Sequence, residues 1–198
     1  MRKILSLVLA LMLFASLAVP AMAEEPISIG VVYKQSGNPF FEAAVKGFDE
    51  ASKELGFTFV HNGPADSSNE GQIQIIEGYI QQGVDAIAIS ANDAAGVVSV
   101  LQTAKEKGIK VISWDSKVNA EGRDLDISPA VAENIGRVEI EEIARQIGGA
   151  GQIAILSAGA TMDNQNTWIE YMKKTLEDPQ YKDIELVING AETELDKT

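Results

Sequence analysis

Cysteine is absent from this chain of 198 residues, and histidine occurs once, as His61. We therefore expect neither a disulfide nor a lipid anchor on cysteine. A zinc site or a Ser-His-Asp relay would need more ligands and bases than one histidine at a predicted strand end supplies. The sequence indicates a protein that is not an enzyme and holds no metal and no cofactor.

Phosphate-binding loops are also missing from the sequence. The glycine-rich segment 148–151 precedes a predicted strand, whereas a dinucleotide fingerprint follows one, so the segment is interpreted as a turn. Glu139, Glu141 and Glu142 are interpreted as a solvated helix face rather than as a pair of catalytic carboxylates.

Positive charge is scarce, with 16 Lys and Arg against 29 Asp and Glu and a formal net charge of −13. Nucleic acids and anionic membrane surfaces attract basic patches, so we expect no nucleic-acid partner. Aromatic residues make up only 6% of the chain, which gives weight to those near a predicted site.

The first 23 residues have the pattern of an export signal. Arg2 and Lys3 precede an apolar stretch at 4–19, and Ala21 and Ala23 form the small-x-small pattern of a cleavage site. The alternative is a retained membrane anchor, but the stretch is shorter than the roughly 20 residues needed to span a bilayer. We expect cleavage near Ala23 and a periplasmic protein.

Beyond the signal, short apolar runs alternate with amphipathic segments, a pattern that predicts parallel strands with helices on both faces. Glycines at 56, 83 and 108 fall where helices should end. The predicted strands are 27–32, 57–60, 85–89, 109–114, 152–156 and 184–188, and the predicted helices are 39–55, 70–82, 94–107, 130–147 and 164–176.

The alternation breaks after Trp114 with a polar stretch and a short extended run at 124–128. We interpret 124–129 as the crossing between two α/β lobes, which divides the mature chain into an N-terminal lobe at 24–128 and a second lobe at 129–198. The second lobe has too few elements for a full core, since such lobes usually exceed about 100 residues. We therefore expect the chain to be a fragment with an incomplete second lobe, which would bind weakly or not at all in isolation.

Polar and aromatic side chains collect after the predicted strands, and ligands of open parallel sheets bind at the carboxyl ends of strands. A sugar needs donors, acceptors and a flat apolar surface, which amides, carboxylates, lysine and aromatic rings supply. The candidate ligand-binding residues are Lys34, Asn38, Phe40, Phe41, Ser90, Asp115, Asn164 and Gln165.

Simpler roles compete at several of these positions. Asn38 and Asp115 could serve only as helix caps, and Lys34 could be an ordinary surface lysine. Asp93 and Ser128 are assigned to caps or turns. Two adjacent phenylalanines that open a helix cannot both point into the core, so at least one of Phe40 and Phe41 should face the cleft.

The two tryptophans are assigned from their places in the predicted elements. Trp168 is expected in the core because it lies on the apolar face of its helix. Trp114 ends a buried strand and is compatible with either core or cleft.

Five stretches in order resemble the ribose-type periplasmic binding proteins, most closely their rhamnose and autoinducer-2 branch. The stretches are 34–41 (KQSGNPFF), 71–76 (GQIQII), 85–93 (DAIAISAND), 111–116 (VISWDS) and 164–168 (NQNTW). The resemblance implies a type I periplasmic-binding-protein fold, in which two Rossmann-like lobes joined by three crossings close on a ligand.

The resemblance also implies roles for individual residues. Phe40 and Phe41 would flank the ligand ring, and Asn38 would hydrogen-bond to it. In the autoinducer-2 branch, residues matching Lys34 and Asp115 contact the ligand, followed by an Asp-Gln pair. Asn164 and Gln165 stand at that pair here, and the asparagine favours a rhamnose-like or other neutral monosaccharide.

The function expected from the resemblance is the substrate-binding component of an ABC importer, with an inner-membrane permease as partner. The alternative is an autoinducer-2 receptor for uptake or for signalling through a chemoreceptor. A secreted α/β enzyme is a further alternative, but it would need a nucleophile–base pair, and none is recognisable in this sequence. A sugar-responsive repressor would begin with a DNA-binding headpiece where this chain has its export signal.

Overall fold

The computed structural model describes residues 25–189, and the predicted export signal therefore lies outside the described residues. Strands and helices alternate along this part of the chain. The strands are β1 (Ser28–Val32), β2 (Thr58–Asn62), β3 (Ala86–Ile89), β4 (Lys110–Trp114), β5 (Leu125–Ile127), β6 (Gly151–Ile155) and β7 (Ile184–Asn189). The helices are α1 (Pro39–Leu55), α2 (Asn69–Gln82), α3 (Val98–Glu106), α4 (Ala132–Ile147) and α5 (Asp163–Leu176).

The strands form two parallel sheets. Five of them pair in the order β2-β1-β3-β4-β5, and β6 pairs with β7 in a separate sheet. All recorded strand pairs are parallel, so the predicted α/β class is confirmed. The short run predicted at 124–128 pairs with β4 as the edge strand β5. The lobe boundary at residues 128 and 129 stays a prediction.

The main core lies around β3, whose four residues are all buried. Ile87 and Ile89 pack with Val32, Ile76 and Leu101, which come from the neighbouring strand and from the covering helices α2 and α3. A continuous apolar strand is favoured here because helices cover both faces of the sheet. A smaller cluster around Ile140, Ile153 and Tyr181 holds α4 and α5 against the second sheet.

Helix ends agree with the sequence signals in most places. Gly56 and Gly83 adopt left-handed backbone angles just after α1 and α2, where an L-residue with a Cβ would be strained. The helix predicted from residue 94 begins at Val98 instead, because Asp93 accepts hydrogen bonds from the backbone N–H groups of Ala95 and Gly96 and makes a turn there. The turn role predicted for Asp93 is confirmed.

Three further sequence-based interpretations are tested by local contacts. The Ser128 hydroxyl donates to Asp126 at 3.0 Å, which confirms a local turn role. Glu142 is paired with Arg145 on the exposed side of α4, as a solvated face requires. The segment at 148–151 turns from the end of α4 into β6, whose first residue is Gly151. Among the helices at 25–189, none has both the length and the apolar character of a membrane span.

Gly30 allows α2 to approach the sheet closely, and this contact yields a testable prediction. A Cβ at Gly30 would lie 2.4 Å from the Tyr79 ring, whose hydroxyl donates to the Val31 carbonyl at 3.4 Å. Gly30→Ala should therefore lower the free energy of unfolding by about 1–3 kcal/mol through overpacking, as measured by urea denaturation. The control is Gly47→Ala in the middle of α1, where a Cβ meets nothing within 4 Å. That substitution should raise stability by up to about 1 kcal/mol. Equal effects of the two substitutions would contradict the close approach.

Candidate functional site

The loops that follow β1 and β4 meet the start of α5 and enclose a cavity of about 250 Å³. The strands β1, β3 and β4 are neighbours in one parallel sheet, so their carboxyl ends lie side by side. The cavity is lined by Lys34, Gln35, Asn38, Phe40, Phe41, Ser67, Asp115, Ala158, Met162, Asn164, Gln165 and Trp168. Every candidate ligand residue except Ser90 is in this set.

Lys34 is the buried cation of the cavity. Its side chain is 7% exposed, and its Nζ donates to Asn164 Oδ1 at 3.1 Å. Burial lowers the pKa of Lys34 because desolvation disfavours the ammonium, while the carboxylates of Asp115 and Asp163 oppose that shift. The surface-lysine alternative is therefore wrong, and Lys34 faces the cavity as a partly desolvated donor.

Asp115 connects the first sheet to α5. Its Oδ2 accepts a hydrogen bond from the Ser90 hydroxyl at 2.6 Å, and its Oδ1 accepts from Asn164 Nδ2 at 3.5 Å. The backbone has a φ of 59°, a left-handed conformation that costs a non-glycine residue about 1–3 kcal/mol and that occurs often at binding sites. The carboxylate bonds to the side chains of Ser90 and of the cavity-lining Asn164, so a role only as a helix cap does not describe Asp115.

Asn38 and the two phenylalanines form the start of α1. The Asn38 Oδ1 accepts from the backbone N–H of Phe40 at 3.0 Å, so its predicted capping role is confirmed, and the residue also lines the cavity. Phe40 is 55% exposed, whereas Phe41 is buried and packs edge-on against Phe40 with ring centroids 5.1 Å apart. Both phenylalanines thus line the cavity, Phe40 with an exposed ring and Phe41 with a buried ring that supports it.

The two tryptophans differ from each other in role. Trp114 packs against Phe41 and Phe48, with ring centroids 5.9 Å apart in both pairs, so it supports α1 from below. Trp168 was expected in the core, and this expectation is wrong. It is half-buried and lines the cavity together with Asn164 and Gln165 of the same helix.

Ser90 and Gln165 differ in how they reach the cavity. Ser90 is fully buried and reaches the cavity only through its bond to Asp115. Gln165 lines the cavity, and its Oε1 accepts from the Ser157 hydroxyl at 2.8 Å and from the Ala158 N–H at 2.7 Å. These bonds hold the loop after β6 and leave the amide nitrogen of Gln165 as the group suited to donate to a ligand.

Besides Trp168, four cavity-lining residues are absent from the candidate residues: Gln35, Ser67, Ala158 and Met162. Ser67 has a φ of 56° in the loop after β2, a loop that contributes none of the candidate residues. The position of this loop at the carboxyl end of a parallel strand was a usable signal. Met162 is buried just before α5, and an apolar residue in a polar loop gave no comparable signal.

The cavity lining is rich in hydrogen-bonding groups and apolar surface. It combines one buried amine, one carboxylate and four side-chain amides with aromatic and apolar surface. Between residues 25 and 189, no group of three or more His, Asp or Glu side chains is placed to hold a metal ion. Such a lining can donate to and accept from several hydroxyl groups while an aromatic ring covers a C–H face.

Comparison with known proteins matches a family model described as a periplasmic binding protein domain over residues 29–198. The ribose import binding protein of Bacillus subtilis is 28% identical over 171 residues, covering 79% of this chain and 54% of that protein. An ABC transporter solute-binding protein from Clostridium phytofermentas, solved with bound L-rhamnose, is 34% identical with a TM-score of 0.80. The match covers 82% of this chain and 51% of that structure.

A second solved structure, LsrB from Clostridium saccharobutylicum in complex with AI-2, is 29% identical with a TM-score of 0.74. The match covers 81% of this chain and 52% of that structure. The chain therefore spans about half the length of the relatives it matches.

The electrostatics of the cavity predict how Lys34 responds to loss of its neighbouring carboxylate. Because Asp115 raises the pKa of Lys34 against the effect of burial, Asp115→Asn should lower the pKa of Lys34 further below its ordinary value. Titration of the lysine side chain by NMR measures this shift. Asp49→Asn, which removes the exposed partner of Lys53, is the control and should leave Lys34 unchanged. An unchanged or raised pKa in Asp115→Asn would show that the two groups are not coupled.

Proposed function

We propose that this chain, which belongs to the family of periplasmic binding protein domains, is the sugar-binding component of an ABC importer. The ligand would be a small neutral monosaccharide bound in the cavity between the first sheet and α5. The observation that carries the proposal is the set of polar contacts between Lys34, Asp115 and Asn164 in a cavity that Phe40 also lines. In this reading the protein binds and releases its ligand without chemical change.

The chemistry of the lining supports a polyol. Lys34 and the amides of Asn164 and Gln165 supply donors, and Asp115 supplies a charged acceptor, so adjacent hydroxyl groups can each find a partner. Phe40, Ala158 and Met162 add apolar surface, which suits the C–H face or the methyl group of a deoxyhexose. Lys34 and Asp115 offset each other in charge, which favours a neutral ligand over an anion or a cation.

A rhamnose-like sugar is the ligand that we favour. An amide at position 164 both donates and accepts, and in the structure Asn164 accepts from Lys34 and donates to Asp115. The structure solved with L-rhamnose is 34% identical to this chain, which supports the same choice. Autoinducer-2 is the second candidate, supported by the 29% identical complex with AI-2.

Binding by closure of two lobes is the mechanism we propose. Contacts join the part of the chain through β5 to the part from α4 onward: Lys34 with Asn164, Lys117 with Asp163 at 3.5 Å, and the Thr161 hydroxyl with the Asn92 carbonyl at 3.2 Å. A ligand that contacts both sides would favour the closed arrangement by its differential affinity for it. We propose 24–128 and 129–198 as the two lobes, the second incomplete.

The cellular context of the proposal follows the family. Periplasmic binding proteins are typically exported, and we propose that residues 1–23 direct this chain to the periplasm and are cleaved near Ala23. The partner would be an inner-membrane ABC permease, which receives the sugar from the closed protein. In the autoinducer-2 alternative, a chemoreceptor would be a further partner.

A thermal-shift screen of the mature full-length protein tests the ligand class. L-rhamnose should raise the melting temperature by about the amount expected from RT ln(1 + [L]/Kd), while ribose, arabinose and glucose give smaller shifts. A selective shift with autoinducer-2 would move the assignment to the second candidate. No shift with any of these compounds would contradict the proposed sugar site.

Substitution of the two central polar residues tests the site itself. Asn164→Ala and Asp115→Ala should each weaken binding of the screened sugar by about 1–3 kcal/mol, because each leaves buried partners unpaired. Isothermal calorimetry measures this loss. Asn134→Ala, on the exposed side of α4, is the matched control and should bind as the unmodified protein does. Unchanged affinity in both cavity variants would place the ligand elsewhere.

A further inference from the structure

A buried amide outside the cavity connects the loops that carry the cavity's charged groups. Gln72 lies in the first turn of α2, is 0% exposed, and does not line the cavity. Its Nε2 donates to the carbonyls of Tyr33 at 3.2 Å and Ser90 at 2.8 Å, and its Oε1 accepts from the Asn92 N–H at 2.8 Å. One side chain therefore bonds to the backbone after β1 and after β3.

Lys34 is held from both sides by this arrangement. Gln72 holds the carbonyl of Tyr33, which belongs to the peptide unit preceding Lys34. Asn92, whose own N–H is bonded to Gln72, donates from Nδ2 to the Lys34 carbonyl at 3.0 Å. With both flanking peptide planes fixed, the Cα–Cβ direction of Lys34 is set, and its long side chain is aimed at Asn164.

Asp115 is connected to Gln72 through Ser90. The Ser90 carbonyl accepts from Gln72, and the Ser90 hydroxyl donates to Asp115 Oδ2 at 2.6 Å. The same amide thus lies behind both charged groups of the cavity. A carboxamide suits this place because it offers two donors and an acceptor in one rigid plane without bringing a charge into the buried site.

We propose that Gln72 is the positioning residue of the ligand site. It orients Lys34, and through Ser90 it orients Asp115, although it touches no ligand. The identity of the ligand in this inference rests on the proposed function, whereas the orientation of Lys34 and Asp115 by Gln72 does not. A role in general stability alone would make Gln72 equivalent to any other buried residue of α2.

The experiment compares two properties of the full-length protein, one of which requires no ligand. The first is the rate at which an amine-acylating reagent modifies Lys34, measured by peptide mass spectrometry. The second is the affinity for L-rhamnose, measured by calorimetry below the unfolding transition. The variants are Gln72→Met, which removes all three bonds at similar size, and Gln72→Glu, which keeps the acceptor for Asn92 but not the two donors.

Two controls separate positioning from stability. Gln74→Met makes the same chemical change on the exposed side of α2. Ile76→Val trims a fully buried side chain one turn further along the same helix, and it lowers global stability without removing any hydrogen bond to the cavity loops.

Both Gln72 variants should increase the labelling rate of Lys34 about tenfold and weaken L-rhamnose binding by a similar factor, since unpaired backbone groups release the loop. Both controls should leave rate and affinity near those of the unmodified protein. Unchanged labelling in the Gln72 variants, or an equal increase in Ile76→Val, would overturn the positioning role. If Gln72→Met fails to fold, Gln72→Glu decides by the same criteria. If the unmodified protein binds no sugar, the proposed function fails, and the labelling rate alone decides the role of Gln72.

Discussion

Parallel pairing of the first five strands is the constraint on which the rest of this structure depends. A parallel strand can be followed by its neighbour only through a crossover, so helices cover both faces of the sheet and every strand carboxyl end comes to one edge. The loops after β1 and β4 therefore meet, although Lys34 and Asp115 are far apart in sequence. The charge and aromatic surface of the cavity follow from that meeting.

Burial of Lys34 creates a second constraint, because a desolvated ammonium needs compensating partners. The structure supplies Asn164 by a direct hydrogen bond and Asp115 by its charge. These groups satisfy each other where we propose that a sugar binds. A ligand that enters the cavity must therefore offer these groups hydrogen bonds as favourable as the ones it displaces. A polyol can do so because each hydroxyl both donates and accepts. The same replacement would reject ligands that offer only apolar surface.

Behind the cavity, buried side-chain amides rather than charged groups hold the backbone of the cavity loops in place. Gln72 and Asn92 bond mainly to backbone groups of the cavity loops, and the Asn92 carbonyl accepts a bond from Thr161 near the start of α5. A neutral amide satisfies these groups without the desolvation cost of an ion. The arrangement separates the residues proposed to touch the ligand from those that hold them in place.

The sequence by itself determined the element order, the parallel α/β class and most of the residues at the cavity, because these depend on local signals. Continuous apolar runs predict buried strands, glycines mark helix ends, and residues after parallel strands share one edge of a sheet. Tertiary structure alone decided that Lys34 is buried, that Trp168 faces the cavity, and that Gln72 holds two loops. Each of these depends on contacts between distant segments, as between Lys34 and Asn164, which are 130 positions apart. No local pattern encodes such a contact, since it arises only when packing places one element against another.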